Sequence, residues 1–151
     1  MTEIKFTKQQ YEDLVKLVYL GTWMVNGIRT DDVVEKYEEL EQYIISFANN
    51  FDCGKFIEYD AKSKSYFHNT DFEQDEELER YRDEYDDECL WDELIHRLAR
   101  RDFIIAHGES AIKQMNWKER LLKEDPFIEK YADEFNKNGL EHLEIKLKTP
   151  E

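Results

Sequence analysis

Two cysteines, two prolines and five glycines are all that the 151 residues hold. Cys53 and Cys89 lie far apart and form no C-x-x-C pair, so two reduced thiols in a cytoplasmic protein are expected. No Pro-, Gly- or Ser-rich linker, repeat or second composition regime interrupts the chain, and a single domain over 1–151 is expected. The longest apolar stretch, Leu17 to Ile28, is broken by Gly21, Thr22, Asn26 and Gly27 and falls short of the ~20 residues that span a bilayer. The N-terminal Met-Thr-Glu-Ile-Lys-Phe has no basic region leading into an apolar run, so no signal peptide is expected. Lysine and arginine number 21 against 36 acidic residues, and the pI is near 4.7. That field disfavours nucleic acid and anionic membrane surfaces, both of which need clustered cations. No complete catalytic or nucleotide-binding signature occurs.

What is present is acid, concentrated in one place. Thirteen carboxylates fall between Asp71 and Glu93 with only Arg80 and Arg82 among them, so this window carries −11 of the net −15. A block of one sign is a solvated surface, a docking surface for a basic partner, or a cation site. Disorder is argued against by nine Tyr, nine Phe and three Trp, because disordered segments are poor in aromatics.

Hydrophobic spacing predicts a mainly helical fold with a small β element: a helical hairpin, further helices and a sheet of two or three strands. Thr7-Lys8-Gln9-Gln10 has the form of a capping box and should open a first helix with Leu14 and Val18 in the core. A second helix is expected after Thr30, with Val33, Tyr37, Leu40, Ile44, Phe47 and Phe51 as its packing seam. The short connection implies an antiparallel pair. Residues 56–59 and 65–68 read as strands around Ala61-Lys62-Ser63-Lys64. Thr70-Asp71-Phe72-Glu73 reads as another capping box, opening an acidic helix to about Glu84. A long helix follows from about Asp87 to His107, closed by Gly108, with Trp91, Leu94, Ile95, Leu98 and Ile105 inward. A weaker helix over Ser110–Lys123 and a short one between Asp125-Pro126 and Asn138-Gly139 complete the helices. Leu143, Ile145 and Leu147 alternate with strand period.

The segment from Tyr85 to Phe103, Tyr-Asp-Asp-Glu-Cys-Leu-Trp-Asp-Glu-Leu-Ile-His-Arg-Leu-Ala-Arg-Arg-Asp-Phe, resembles the central stretch of a set of small, acidic bacterial proteins of unknown function. The resemblance brings no activity, cofactor or site residue with it.

Three constellations could carry chemistry. Glu88, Asp92 and His96, at i, i+4 and i+8, rise along one side of the long helix, and oxygen and imidazole donors so placed suit a divalent metal. Glu93-x-x-His96 has half of a di-iron carboxylate pattern, but no second copy exists. Glu35-x-x-Glu38, Glu38-x-x-Glu41 and Glu76-x-x-Glu79 have the form used by helical Mg-dependent nucleotide hydrolases, a form that so acidic a chain produces by chance. Asp102 falls in line with Trp91, Leu98 and Ile105, where a charge is expensive unless paired, and an arginine such as Arg29 is the expected partner. His68 and His142, both in expected strands, would approach each other if those strands paired.

The leading expectation is therefore a soluble, non-enzymatic interaction or regulatory protein that docks a basic partner protein through residues 71–93, with Asp75, Glu76, Glu77 and Glu79 at the contact. The alternative is a metal-dependent hydrolase with Glu88, Asp92 and His96 as ligands. No particular cofactor follows from the sequence.

Overall fold

The computed structural model describes residues 4–144. Among these residues are six α-helices and one two-stranded antiparallel sheet, a mainly helical fold with a small β element. The chain divides into two compact units, Met1–Glu84 and Tyr85–Glu151. The division falls inside a helix rather than at a linker, so no change of composition marks it. No described helix is long and apolar enough to cross a membrane.

In the first unit, α1 (Lys8–Asn26) opens on the expected capping box: Thr7 Oγ1 accepts from the Gln10 N–H, and Gln10 Oε1 accepts from the Thr7 N–H. α2 (Glu35–Ile45) packs against it. The Tyr11 hydroxyl, near the start of α1, donates to the Ile44 carbonyl at 2.7 Å, while Asn26, at the end of α1, bonds the backbone of Val34 just before α2. Start meets end and end meets start, so the pair is antiparallel, as expected. Burial pushes the Tyr11 phenol up to about 12, helped by nearby Cys53, so it stays a neutral donor. α2 begins four residues later than its first acidic residue suggested. The Asn26 side chain accepts from the Val34 N–H at 3.0 Å, and Val34 sits outside helical geometry at φ −86°, ψ 84°.

The expected seam of α2 is not its buried face. Tyr37 and Leu40 are exposed and Ile44 is half-buried, whereas Ile45 is 1% exposed. Leu14 and Val18 are likewise half-buried, the buried positions of α1 being Tyr11 and Val15. The hairpin of β1 (Ile57–Asp60) and β2 (Ser65–His68) turns α2. Gln42 donates to the Tyr66 carbonyl and accepts from the Tyr66 N–H, both at 2.7 Å, and Glu41 meets His68 Nε2 at 2.9 Å. A helix face carrying Glu41 and Gln42 therefore looks inward, and Ile45 follows it.

The strands pair Ile57 with His68 through to Asp60 with Ser65. Their loop has no Gly, Asn or Pro. Asp60 supplies the turn instead, accepting from the N–H groups of Lys62 and Ser63 and from the Ser63 hydroxyl, while Lys64 takes a left-handed φ of 57°. Tyr11, Val15, Ile45, Ala48, Cys53, Phe72 and Leu78 form the buried cluster of this unit.

α3 (Thr70–Glu73) is capped by Asn69, whose side chain accepts from the Phe72 N–H at 3.1 Å. Thr70 is thus the first helical residue rather than the cap. α4 (Glu76–His107) then runs as one helix where two were expected.

In the second unit, α4 is followed by α5 (Glu109–Gln114) and α6 (Trp117–Asn138). Gly108 closes α4 with φ 75°, and its N–H donates to the Ile104 carbonyl at 2.8 Å. Ring contacts between Trp91 and Phe135 and between Phe103 and Phe127 run up one helix and down the other, so the latter part of α4 and α6 form an antiparallel pair. Ala99, Phe103 and Ile112 are buried, Trp91, Leu94 and Leu98 are half-buried, and Ile105 is exposed. Asp125-Pro126 does not start a helix; Pro126 lies within α6, whose cap is Asn116, accepting from the Glu119 N–H at 3.0 Å. An interior proline costs a helix one hydrogen bond, and the rings of Phe127, Tyr131 and Phe135 on its core-facing side keep the helix continuous. Leu143 lies outside any strand, and Ile145 and Leu147 lie outside the described residues.

Candidate functional site

The acidic stretch starts where α4 starts. Asp75 Oδ1 accepts from the N–H groups of Glu77 and Leu78, at 3.0 and 3.3 Å, and so caps the helix. Lys16 of α1 reaches the same point, with Nζ 3.1 Å from Asp75 Oδ2 and 2.8 Å from Glu77 Oε2. Burial works against the Asp75 charge, yet hydrogen bonds from Lys16 and the Leu78 N–H outweigh it and hold the carboxyl below its usual range. Glu77 is lowered as well, first by its hydrogen bond from Lys16.

Of the four residues expected at a partner contact, two are therefore engaged within the fold. Asp75 is half-buried, and Glu77 is shared between Lys16 and the Tyr81 hydroxyl. Glu76 and Glu79 are exposed and have no cation partner among the described residues, and the same holds for Asp83. Their spacing of three and four places all three along one side of α4. Tyr81, also exposed, lies on the same turns with the Arg80 guanidinium 5.0 Å from its ring centre. No sequence signal marks Lys16 as the anchor, because its partners lie about sixty positions away.

The metal expectation fares differently. Asp92 Oδ1 and His96 Nε2 stand 3.4 Å apart, exposed, and the exposed Glu88 carries no cation partner. Glu93 pairs with Arg97 at 2.6 Å. Among the described residues, no group of three or more His, Cys, Asp or Glu side chains is arranged to hold a metal ion. Glu88, Asp92 and His96 share a helix flank without converging on a point. His68 and His142 each hold a carboxylate of their own unit, Glu41 and Glu134 respectively.

Asp102 is paired, as its place on the inward stripe required, but with groups of its own unit. Tyr131 donates to Oδ2 at 2.5 Å, Lys130 Nζ lies 3.2 Å from the same oxygen, and Arg101 contacts Oδ1 at 2.8 and 2.9 Å. The Tyr131 hydrogen bond, with Arg101 and Lys130 against the opposing effect of burial, brings this carboxyl from 3.8 to about 2. These groups border an open cleft of about 450 Å³ lined also by Leu98, Phe135 and the Glu134–His142 pair.

A folded-state pKa below the unfolded value contributes stability that is present above about pH 4 and is lost as pH falls through 2. The Asp102 side chain is 21% exposed, so Asp102→Asn is expected to cost on the order of 1–2 kcal/mol at pH 7 rather than the larger sum due to a fully buried pair. Urea unfolding at pH 7 and at pH 2.5 (roughly the folded pKa) checks it: the gap between wild type and variant should shrink at the lower pH. A gap independent of pH would show that the charge is not what stabilises.

Comparison with protein-family models, with curated proteins and with solved structures returns no match.

Proposed function

We propose that this is a cytoplasmic, non-enzymatic binding protein that docks a positively charged protein partner on the start of α4. The observation that carries the reading is the split among neighbouring carboxylates. Asp75 and Glu77 are spent on Lys16 and on capping, which fixes the helix in place, while Glu76, Glu79 and Asp83 stand exposed with no ion-pair partner among the described residues. A fixed helix presenting unpaired charge loses little entropy on binding. Exposed carboxylates of this kind act mainly on encounter rate, over a Debye length of about 8 Å at physiological salt.

Simultaneous change of Glu76, Glu79 and Asp83 to Lys is expected to lower the association rate with the native cytosolic partner by roughly tenfold or more at low salt, with melting nearly unchanged. Asp75 and Glu77 are left intact because their loss would disturb the fold itself. The control reverses three exposed carboxylates elsewhere, Glu58, Glu129 and Glu141, for the same change in net charge. Partners captured from cytosol and then measured by surface-binding kinetics at two salt concentrations separate the cases. Equal losses in both triple variants would reduce the acidic face to general solubility and end the docking reading.

A further inference from the structure

The second unit holds a groove of opposite character. Arg100 of α4, Lys113 of α5 and Arg120 of α6 line one side of an open pocket of about 530 Å³, with Glu124 as its single lining carboxylate. The groove is thus basic in a chain whose net charge is −15. Its other side is apolar. Ile112 is buried beneath, and Trp117, 71% exposed, and the exposed Leu121 stand at the rim.

Two features indicate that this groove is shaped for something it does not itself supply. First, Arg100 Nη1 is shut off from solvent and has no hydrogen-bond partner. Glu124 Oε1 lies 3.6 Å from it, close enough to attract and too far to bond, while the second oxygen of Glu124 is taken by Arg120 Nε at 3.2 Å. One carboxylate is divided between two guanidinium groups and satisfies neither fully. The Arg100 side chain is 37% exposed as a whole, so an incoming oxygen anion would meet its accessible edge rather than Nη1, and would add to a guanidinium that Glu124 leaves under-bonded. Second, Trp117 exposes most of its indole directly beside these cations, on the first turn of α6, where the helix dipole adds further positive potential. Lys118 Nζ stands over this ring, 5.5 Å from its centre, and the exposed indole beside the cations offers a ligand a flat surface to stack on and a charged wall to face.

We propose that this groove binds a small organic phosphate, an aryl or nucleoside phosphate whose ring lies on Trp117 and whose phosphoryl oxygens face Arg100, Lys113 and Arg120. Glu124 is shared by Arg100 and Arg120, and Glu109 reaches Lys113 at 3.9 Å, so one positive charge remains in excess; donors from three helices suit the several oxygens of a phosphate monoester better than a single carboxylate. The site is separate from the acidic face of α4 and does not depend on the docking reading.

Calorimetric titration of the full chain with phenyl phosphate, with inorganic phosphate and with phenol tests the assignment. Phenyl phosphate should bind with a dissociation constant at or below about 1 mM, and each fragment alone should bind much more weakly. Lys113→Gln and Trp117→Ala alter exposed side chains and leave the core untouched, and each should weaken phenyl phosphate binding by about tenfold. Arg100→Gln should weaken it further; should that variant unfold, the other two still decide the matter. Absence of binding by wild type, equal affinity for phenol, or binding that survives Lys113→Gln and Trp117→Ala unchanged would each overturn the proposal.

Discussion

Ile45→Ala is expected to destabilise the protein by about 2–5 kcal/mol, whereas Leu40→Ala should cost under about 1 kcal/mol. Both residues sit on α2, five positions apart, and hydropathy alone ranks them together. Their surroundings do not. Ile45 is 1% exposed within the cluster of Tyr11, Ala48, Phe72 and Leu78, so truncation leaves a cavity that rigid neighbours cannot fill. Leu40 is 48% exposed and loses little on truncation because it buries little. Urea unfolding of the two variants checks the pair. Equal costs would mean that α2 presents a different face to the core.

Phe103→Ala should cost about 3–5 kcal/mol. Phe103 is fully buried, with the His107 ring 4.9 Å and the Phe127 ring 5.8 Å from its own and the Arg100 guanidinium 5.8 Å away. Removing it takes away a packed ring and the surface against which α6 continues past Pro126. The loss should therefore appear in amide exchange as faster opening of residues 117–138, in addition to a lower unfolding midpoint. Slow exchange there, at wild-type stability, would show that Phe103 is not central to the second unit.

Helix existence, the antiparallel pairing of α1 and α2 and the β-hairpin were legible because each rests on short-range signals: a capping box, heptad spacing, two β-rich runs around a four-residue loop. The faces of the helices were less so. On α2 and on the latter part of α4 the buried positions are Ile45, Ala99 and Phe103, each one residue beyond Ile44, Leu98 and Asp102 on the expected stripe. Apolar residues occupy both sides of that boundary, so spacing does not choose between them. The choice is made by contacts far apart in sequence, above all Gln42 with Tyr66 and Glu41 with His68. The acidic stretch was visible as charge, but which carboxylates are spent inside the fold was decided by Lys16, some sixty residues away. Asp102 was legible as a paired charge because an inward carboxylate demands a partner. An arginine was the expected partner and Arg101, its neighbour in the chain, is one in place of Arg29, whereas Tyr131 and Lys130, across on α6, were not legible as partners because nothing in the local sequence brings them there.

Gln42 also bears on how chains of this protein behave at high concentration. A two-stranded hairpin exposes backbone edges, and an open edge invites a strand from another molecule. At Tyr66 that invitation is withdrawn, since a single side-chain amide makes both hydrogen bonds a third strand would have made. β2 is thereby closed to edge-to-edge growth at Tyr66, and a helix does the work of a missing strand. The hairpin thus stays two strands wide on that side without a proline or a charged residue at Tyr66 to protect it.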